Sequence, residues 1–382
     1  MQKYYSNLII IGLFILVLST SCNHKENEQN SVNIKLTKAH DSISFSAHFD
    51  SIDITPLESD KNFLLSQVDK KIMFNNNYYF LDKKQNCIMV FDRNGHHKFK
   101  IQDVGKGPKE YIKLYDFNIN RYTENIELLV QNRNMNIFIY DLKGNYVKSF
   151  NLPSIRGYGY FANASKDKIV LYMPFNEKRI TIYSRNQKKV LQKLHHIPAF
   201  ISKKTPLNTG SSPFFRISDT LALTEPFSNK IYSFQSNQLK CKYDWDFGKY
   251  NFDINNLPKN KTSEFYANYL KDLKKVKLFF NHIENEKYII TTFVCDNDDY
   301  TLIYNKRSNK HLVFQNYERN LIFPTYSNFF EGGIYAVVVN ISYLKNYIKL
   351  DYLNKNDRKT FQNLESGDNP VVIKYFFKDH LL

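Results

Sequence analysis

From about residue 43 onward, short apolar and aromatic runs alternate with clusters of Asn, Asp, Ser, Gly and Lys. The runs at 78–81, 126–130, 168–172, 221–223, 288–293 and 333–339 each read as a strand, being short, apolar and bounded by turn residues. Each is followed by a second apolar stretch that ends on a polar residue: Asp92, Asp141, Ser184, Ser233, Asn305 and, in a weaker copy at 347–351, Asp351. The two clearest copies continue to Gly95 and Gly144. Asp-x-x-Gly predicts a hairpin turn, because Asp caps the reversal and Gly accepts the positive φ that other residues resist.

The six anchors recur at intervals of about 49, 43, 49, 72 and 46 residues, close to the forty-odd residues of a four-stranded blade with one long gap. This predicts an all-β chain folded as a six-bladed β-propeller over 41–382. Two packed sandwiches would give similar strands but would not require a repeating anchor, and they rank second. Ring closure is expected to come from terminal strands, 43–46 or 51–54 meeting 371–377. The long gap holds one helical insertion, about 257–280. There Phe265, Tyr269, Leu270, Leu273 and Val276 recur at helical spacing over 262–277. Such a helix could be a lid over the channel or a buttress on the rim.

The chain opens with a different pattern. Gln2 and Lys3 precede an uninterrupted apolar run from Leu8 to Leu18, and Ser19, Thr20 and Ser21 precede Cys22. That is the order of a signal peptide, residues 1–21, and the run is far shorter than the roughly 20 residues a spanning helix needs. Residues 22–40 turn polar at once and read as a flexible tether. The opening resembles bacterial lipoprotein signals, in which the cysteine after small residues is acylated. By that resemblance Cys22 is the lipidation site, carrying palmitate-type chains. Asn23, not Asp, follows it, which favours the outer membrane.

Composition supports the strand reading. Aromatic residues make up 16% of the chain, 28 Tyr and 31 Phe against one Trp, and such side chains suit half-buried pleated surfaces. After Cys22 only Cys87, Cys241 and Cys295 remain, with no CxxC, so neither a disulfide framework nor a Cys-based metal site is indicated. They read as small apolar residues in strands, with a single Cys87 to Cys241 pairing as the alternative. The formal charge of +16 raises nucleic acid as a partner, but the lysines are spread among turn-like stretches and form no single stripe. No nucleic-acid partner is expected. Solvated lysines that protect strand edges explain the charge, with attraction to anionic headgroups or acidic polysaccharide as the sharper alternative.

Further segments carry a resemblance to a known group: Ile54 to Glu58, Val90 to Gly95, Val104 to Tyr111, Glu284 to Tyr288 and Asp368 to Val372. Together they are similar to the six-bladed β-propeller lipoproteins of Gram-negative gut-type bacteria. The most specific element is Gly105-Lys106-Gly107-Pro108-Lys109-Glu110-Tyr111, where that family has Gln and Gly in place of Lys106 and Lys109. The resemblance implies the fold and the anchor. It carries no catalytic residues.

Gly105, Gly107, Pro108, Glu110 and Tyr111 are the candidate binding motif. Two glycines allow a tight reversal and Glu110 can accept from the loop's own amides, which gives a structural turn as the first reading. A phosphate-cradling loop would need a helix after it, and 111–117 reads as strand. The channel of a propeller can hold calcium, and Asp296 to Asp299 and Glu284 to Glu286 offer oxygens. The first of these reads as a charged hairpin loop. His96-His97 and His195-His196 are adjacent pairs and point to opposite faces of a strand, so a zinc enzyme is not expected. No Gly-x-Ser-x-Gly is present. The expectation is a monomeric, non-catalytic envelope lipoprotein, without cofactor, that binds a glycan, peptide or partner protein. The alternative is a metal-dependent lactonase- or lyase-type enzyme with a divalent cation in the channel.

Overall fold

Alternating aromatic and aliphatic residues give each short run two apolar faces, so each strand must be covered on both sides. The computed structural model shows how. It describes residues 31–36, 39–153, 157–174, 178–194, 212–217, 219–236, 238–317, 328–330, 333–338 and 341–378. The predicted signal, Cys22 and His195-His196 lie outside these residues.

Among the described residues the strands form six sheets. Three begin the chain: β1 (Ser31–Asn33), β2 (His40–Ile43) and β3 (Phe49–Pro56). The first sheet is β4 (Lys70–Phe74), β5 (Asn77–Asp82), β6 (Cys87–Asp92) and β7 (His97–Ile101). The second is β8 (Lys113–Asn120), β9 (Asn125–Gln131), β10 (Met135–Tyr140) and β11 (Tyr146–Asn151). The third is β12 (Tyr160–Asn163), β13 (Lys168–Tyr172), β14 (Ile180–Ser184) and β15 (Lys189–Leu194). The fourth is β16 (Phe214–Ile217), β17 (Thr220–Thr224), β18 (Lys230–Gln235) and β19 (Gln238–Asp246), with β1 beside β19. The fifth is β20 (Val276–Glu284), β21 (Tyr288–Cys295), β22 (Asp298–Asn305) and β23 (His311–Tyr317), with β2 added in parallel. The sixth runs β24 (Asn328–Phe330), β25 (Gly333–Val338), β26 (Val371–Phe377) and then β3. Antiparallel meanders following one another in chain order make an all-β propeller.

The repeating anchor has a structural counterpart. In the third strand of four sheets the register slips at an aliphatic–aromatic step, Val90/Phe91, Ile139/Tyr140, Ile182/Tyr183 and Ile231/Tyr232. A bulge there increases twist and bends the outer strand. The turns after it are as predicted. Asp92 Oδ1 accepts from the amides of Asn94 (2.8 Å) and His96 (3.0 Å), and Gly95 takes φ 90°. Gly95 also packs so tightly that a Cβ would lie 2.1 Å from the Pro56 carbonyl oxygen.

Apolar clusters sit between successive sheets. Tyr79 and Val90 pack with Phe117 and Leu128, Leu129 and Ile137 with Phe161 and Leu171, and Val170 and Tyr172 with Leu221 and Leu223. Ile231 and Trp245 pack with Ile289 and Phe293, and Ile290 and Ile303 with Ile54 and Ile373. Val372 and Leu57 pack with Tyr78 and Met89 of the first sheet.

Several expectations need correction. The helix of the long gap is Ser263–Asp272 only, capped by Thr262, whose side chain accepts from Phe265 N at 3.1 Å. Val276 belongs to β20, where Val, Leu and Phe side chains suit a strand between sheets. The stretch 347–351 is not a strand. It joins a helix (Ile341–Tyr347) to a 3₁₀ turn (Leu350–Tyr352), with Ile348 and Leu353 buried against the last sheet. A further helix, Lys355–Asn363, follows, so the helical insertion is not single. The closing strand at the N-terminal end is 49–56; residues 40–43 pair elsewhere, with β23. Cys87, Cys241 and Cys295 each lie within a strand and form no disulfide among the described residues, which sets aside the Cys87 to Cys241 pairing.

Candidate functional site at the inner-strand cavity

The first strands of successive sheets neighbour one another, β4 with β8, β8 with β12 and β16 with β20. Their polar side chains tie the sheets together. Lys70 Nζ donates to Asp116 Oδ1 (2.8 Å) and to the Phe117 carbonyl (2.7 Å). Asp116 is fully buried, and its other oxygen accepts from Phe161 N at 3.0 Å. Arg216 donates to the carbonyls of Asn163 (2.6 Å) and Asp219 (2.8 Å). Phe215 lies against the His282 ring, centroids 4.4 Å apart.

These strands enclose a cavity of about 350 Å³. Its wall carries Lys70, Lys71, Arg121, Arg216 and His282, with Glu284 the sole carboxylate among the described lining residues. Glu284 is already engaged. Its Oε1 accepts from Lys306 Nζ (2.8 Å) and Tyr243 OH (2.8 Å), with Lys242 Nζ at 3.4 Å. Burial alone would raise its pKa, but the His282 ring at 3.7 Å, these donors and the Lys242 charge win and lower it to about 2. His282 is buried, which lowers its pKa and keeps the ring neutral near pH 7. Asn281, at φ 54°, lies in a register shift of β20 between Phe280 and Ile283, which sets where His282 and Glu284 fall.

The remaining charge is positive. Burial lowers the Lys71 ammonium to about 7, so near neutral pH it is only partly charged and the positive charge of the wall rests chiefly on Arg121 and Arg216. Burial and then the adjacent Arg216 lower the Arg121 guanidinium, with Asp219 acting in the opposite sense. Among the described residues, Arg216 donates to neutral carbonyls and to no carboxylate. A confined, partly desolvated cluster of this kind attracts an anion more strongly than the same residues would on an open surface.

The motif singled out from sequence lies elsewhere. Gly105 N donates to Tyr111 O (3.0 Å), Glu110 Oε2 accepts from Gly107 N (2.7 Å), and Tyr111 OH donates to Asn86 O (2.8 Å). A Cβ on Gly105 would fall 2.0 Å from Glu110 Oε2. The loop's groups therefore bond to one another, and Pro108 sits between them; none of the five lines the inner-strand cavity. Asp296 and Asn297 form a two-residue turn at φ 52° and 69°, the charged hairpin expected. His97 stacks on Phe63 and pairs with Glu58 at 2.9 Å. The helix Ser263–Asp272 packs through Leu270 and Tyr269 beside Phe227 and Phe252 and contributes nothing to the cavity wall, as a buttress would.

Sequence reading missed Lys70, Lys71, Arg121, Arg216 and His282. They come from four separate sheets and share no spacing. The one available signal was a basic residue in or just after the strand that opens a sheet.

The sequence matches a family model described as a domain of unknown function, DUF4934, over residues 30–376. No curated protein matches it. Among solved structures, a protein of Bacteroides fragilis NCTC 9343 named as a candidate exported protein is 14% identical, with a TM-score of 0.71, covering 91% of this chain and all of the other. A DUF4221 member from Bacteroides vulgatus ATCC 8482 is 12% identical, covering 86% and 97%, with a TM-score of 0.49. The WD40 domain of Neurospora crassa Pan2 is 8% identical, covering 71% and 73%, with a TM-score of 0.39. At such identities the likeness is one of fold.

Proposed function

This chain belongs to the DUF4934 family, and from the chemistry of its inner-strand cavity we propose that it is a lipid-anchored envelope binding module whose cavity receives an anionic group. The observation that carries this reading is the convergence of Arg121 and Arg216, with Lys71 beside them, on one cavity whose sole carboxylate among the described lining residues, Glu284, is bonded to Lys306 and Tyr243. The six sheets are read as six blades of one ring. That reading draws on β3 as the outer strand of the last sheet and on Val372 and Leu57 packing against the first. Cys22 is taken as the lipid attachment point and the outer membrane as the location, in keeping with the B. fragilis neighbour named as a candidate exported protein; the tether is taken to end before β1, short of the 22–40 expected, because β1 pairs with β19 and Ile34 is buried in the core. A single ring is expected to act as a monomer.

The lactonase- or lyase-type alternative called for a divalent cation in the channel. Cations on the wall repel a further cation, and the buried carboxylates Asp116 and Glu284 are held by lysines. Anion binding is therefore the reading carried forward. It is tested by titration calorimetry with D-galacturonate against D-galactose. Binding of the acid alone, weakened about tenfold or more in Arg121→Gln, is the expected result. Equal binding of acid and neutral sugar, or no effect of the substitution, would refute it.

A further inference from the structure

A second cavity, of about 940 Å³, lies between the second and third sheets. Its wall carries Lys148, Lys166, Arg185, Lys188 and Lys189, against one carboxylate, Glu127. Glu127 is buried and bonded to Arg185 at 2.6 Å, and Arg185 in turn lies over the Phe150 ring at 5.3 Å. The four lysines are exposed, and none forms an ion pair among the described residues. The groove thus holds more positive charge than it neutralises.

The groove and the inner-strand cavity meet along the chain. Asn120 lines the groove and Arg121 lines the cavity. Tyr122, next in sequence, is 42% exposed, donates to the Ala164 carbonyl at 3.0 Å and carries Arg216 over its ring at 5.9 Å. Cations therefore run from Arg216 and Arg121 past an exposed aromatic ring to Lys166, Lys188 and Lys189. Deepening the cavity reading above, on which it rests, we infer that this track binds an extended acidic oligosaccharide, one acidic residue occupying the cavity and further residues the groove.

Three observations select that polymer. A membrane is flat, whereas these lysines line a concave wall. Single-stranded nucleic acid needs successive open aromatic faces for stacking; Phe150 is packed against Tyr183 and Arg185, and Tyr122, the one exposed ring on the track among the described residues, has a face covered by Arg216. An acidic peptide would use apolar side-chain pockets or a free strand edge. Here Lys148 and Lys189 guard the outer strands β11 and β15, and beside the apolar Phe150, Pro153 and Val190 the groove presents Thr123, Asn125, Ser149, Asn151 and Asn186, whose amides and hydroxyls suit ring hydroxyls while the apolar groups suit the faces of sugar rings.

The test compares D-galacturonate with its α-1,4-linked hexamer on the full folded chain, by calorimetry at low and high salt. The expected result is a hexamer about tenfold tighter than the monomer at low salt, with the gain lost at high salt. The gain should also be lost in the triple variant Lys166→Ser, Lys188→Ser, Lys189→Ser, checked by its melting curve to be folded. Equal affinity for monomer and hexamer would overturn the groove assignment while leaving cavity binding intact. No binding of either would overturn both. Hexaglutamate binding as tightly as the hexamer would overturn the choice of a glycan.

Discussion

Glu284 shows how one buried side chain reports on its surroundings. Its side chain is 2% exposed, and its pKa, about 2 in the folded chain, lies below the ordinary value near 4.3 of an unfolded glutamate. A carboxylate depressed by folding contributes stability that is fully present above the unfolded value and lost as pH falls through the folded one. Glu284→Gln should therefore cost on the order of 2–3 kcal/mol near pH 7. The gap to wild type should narrow as pH falls from about 4 towards 2. Urea denaturation at a series of pH values reads this directly, and a gap independent of pH would argue against the lysine and tyrosine contacts. At this scale little was legible beforehand. Asp92 and Asp141 announced their turns because a hairpin is local. Glu284 drew notice as part of a family-like segment and as a possible metal ligand, not as an ion-pair partner, since Lys242 and Tyr243 lie some forty residues away in another strand and leave no mark on the neighbouring sequence.

At the scale of elements, β26 has the largest burden. It pairs with β25 on one side and, from Val371 to Phe377, with β3 on the other. Asp357, in the helix before it, also accepts from Ile54 N at 3.1 Å. Ending the chain after Pro370 would strip both neighbours of their ladder and leave apolar edges open. We expect such a chain to be insoluble or to lose its cooperative melt; a soluble truncated protein melting as wild type would remove the case for ring closure by terminal strands. The strands of the first five sheets were readable because their period and turns are local properties. The sixth was misplaced at 347–351 because Ile348 and Leu350 mimic an apolar strand, whereas Ile348 is buried by helices packed on the sheet and Leu350 is exposed. Period alone cannot separate the two over five residues. The true third strand, 371–377, was recognised, but as a closing strand.

At the scale of the molecule, the charge of +16 is not evenly spent. Some lysines guard edges, but Lys71, Arg121 and Arg216 line one cavity, and no inspection of sequence spacing could have placed them together. The anchor and the cavity make separate claims. Cys22→Ser should move the protein from the membrane to the soluble fraction without altering ligand affinity, and continued membrane retention would refute lipidation at that cysteine. The cavity claim is tested most directly by anomalous diffraction from crystals soaked in selenate, a compact dianion. The account predicts a selenium peak between the Arg121 and Arg216 side chains that disappears when excess D-galacturonate is added. No peak in the cavity, or one that galacturonate leaves in place, would contradict it.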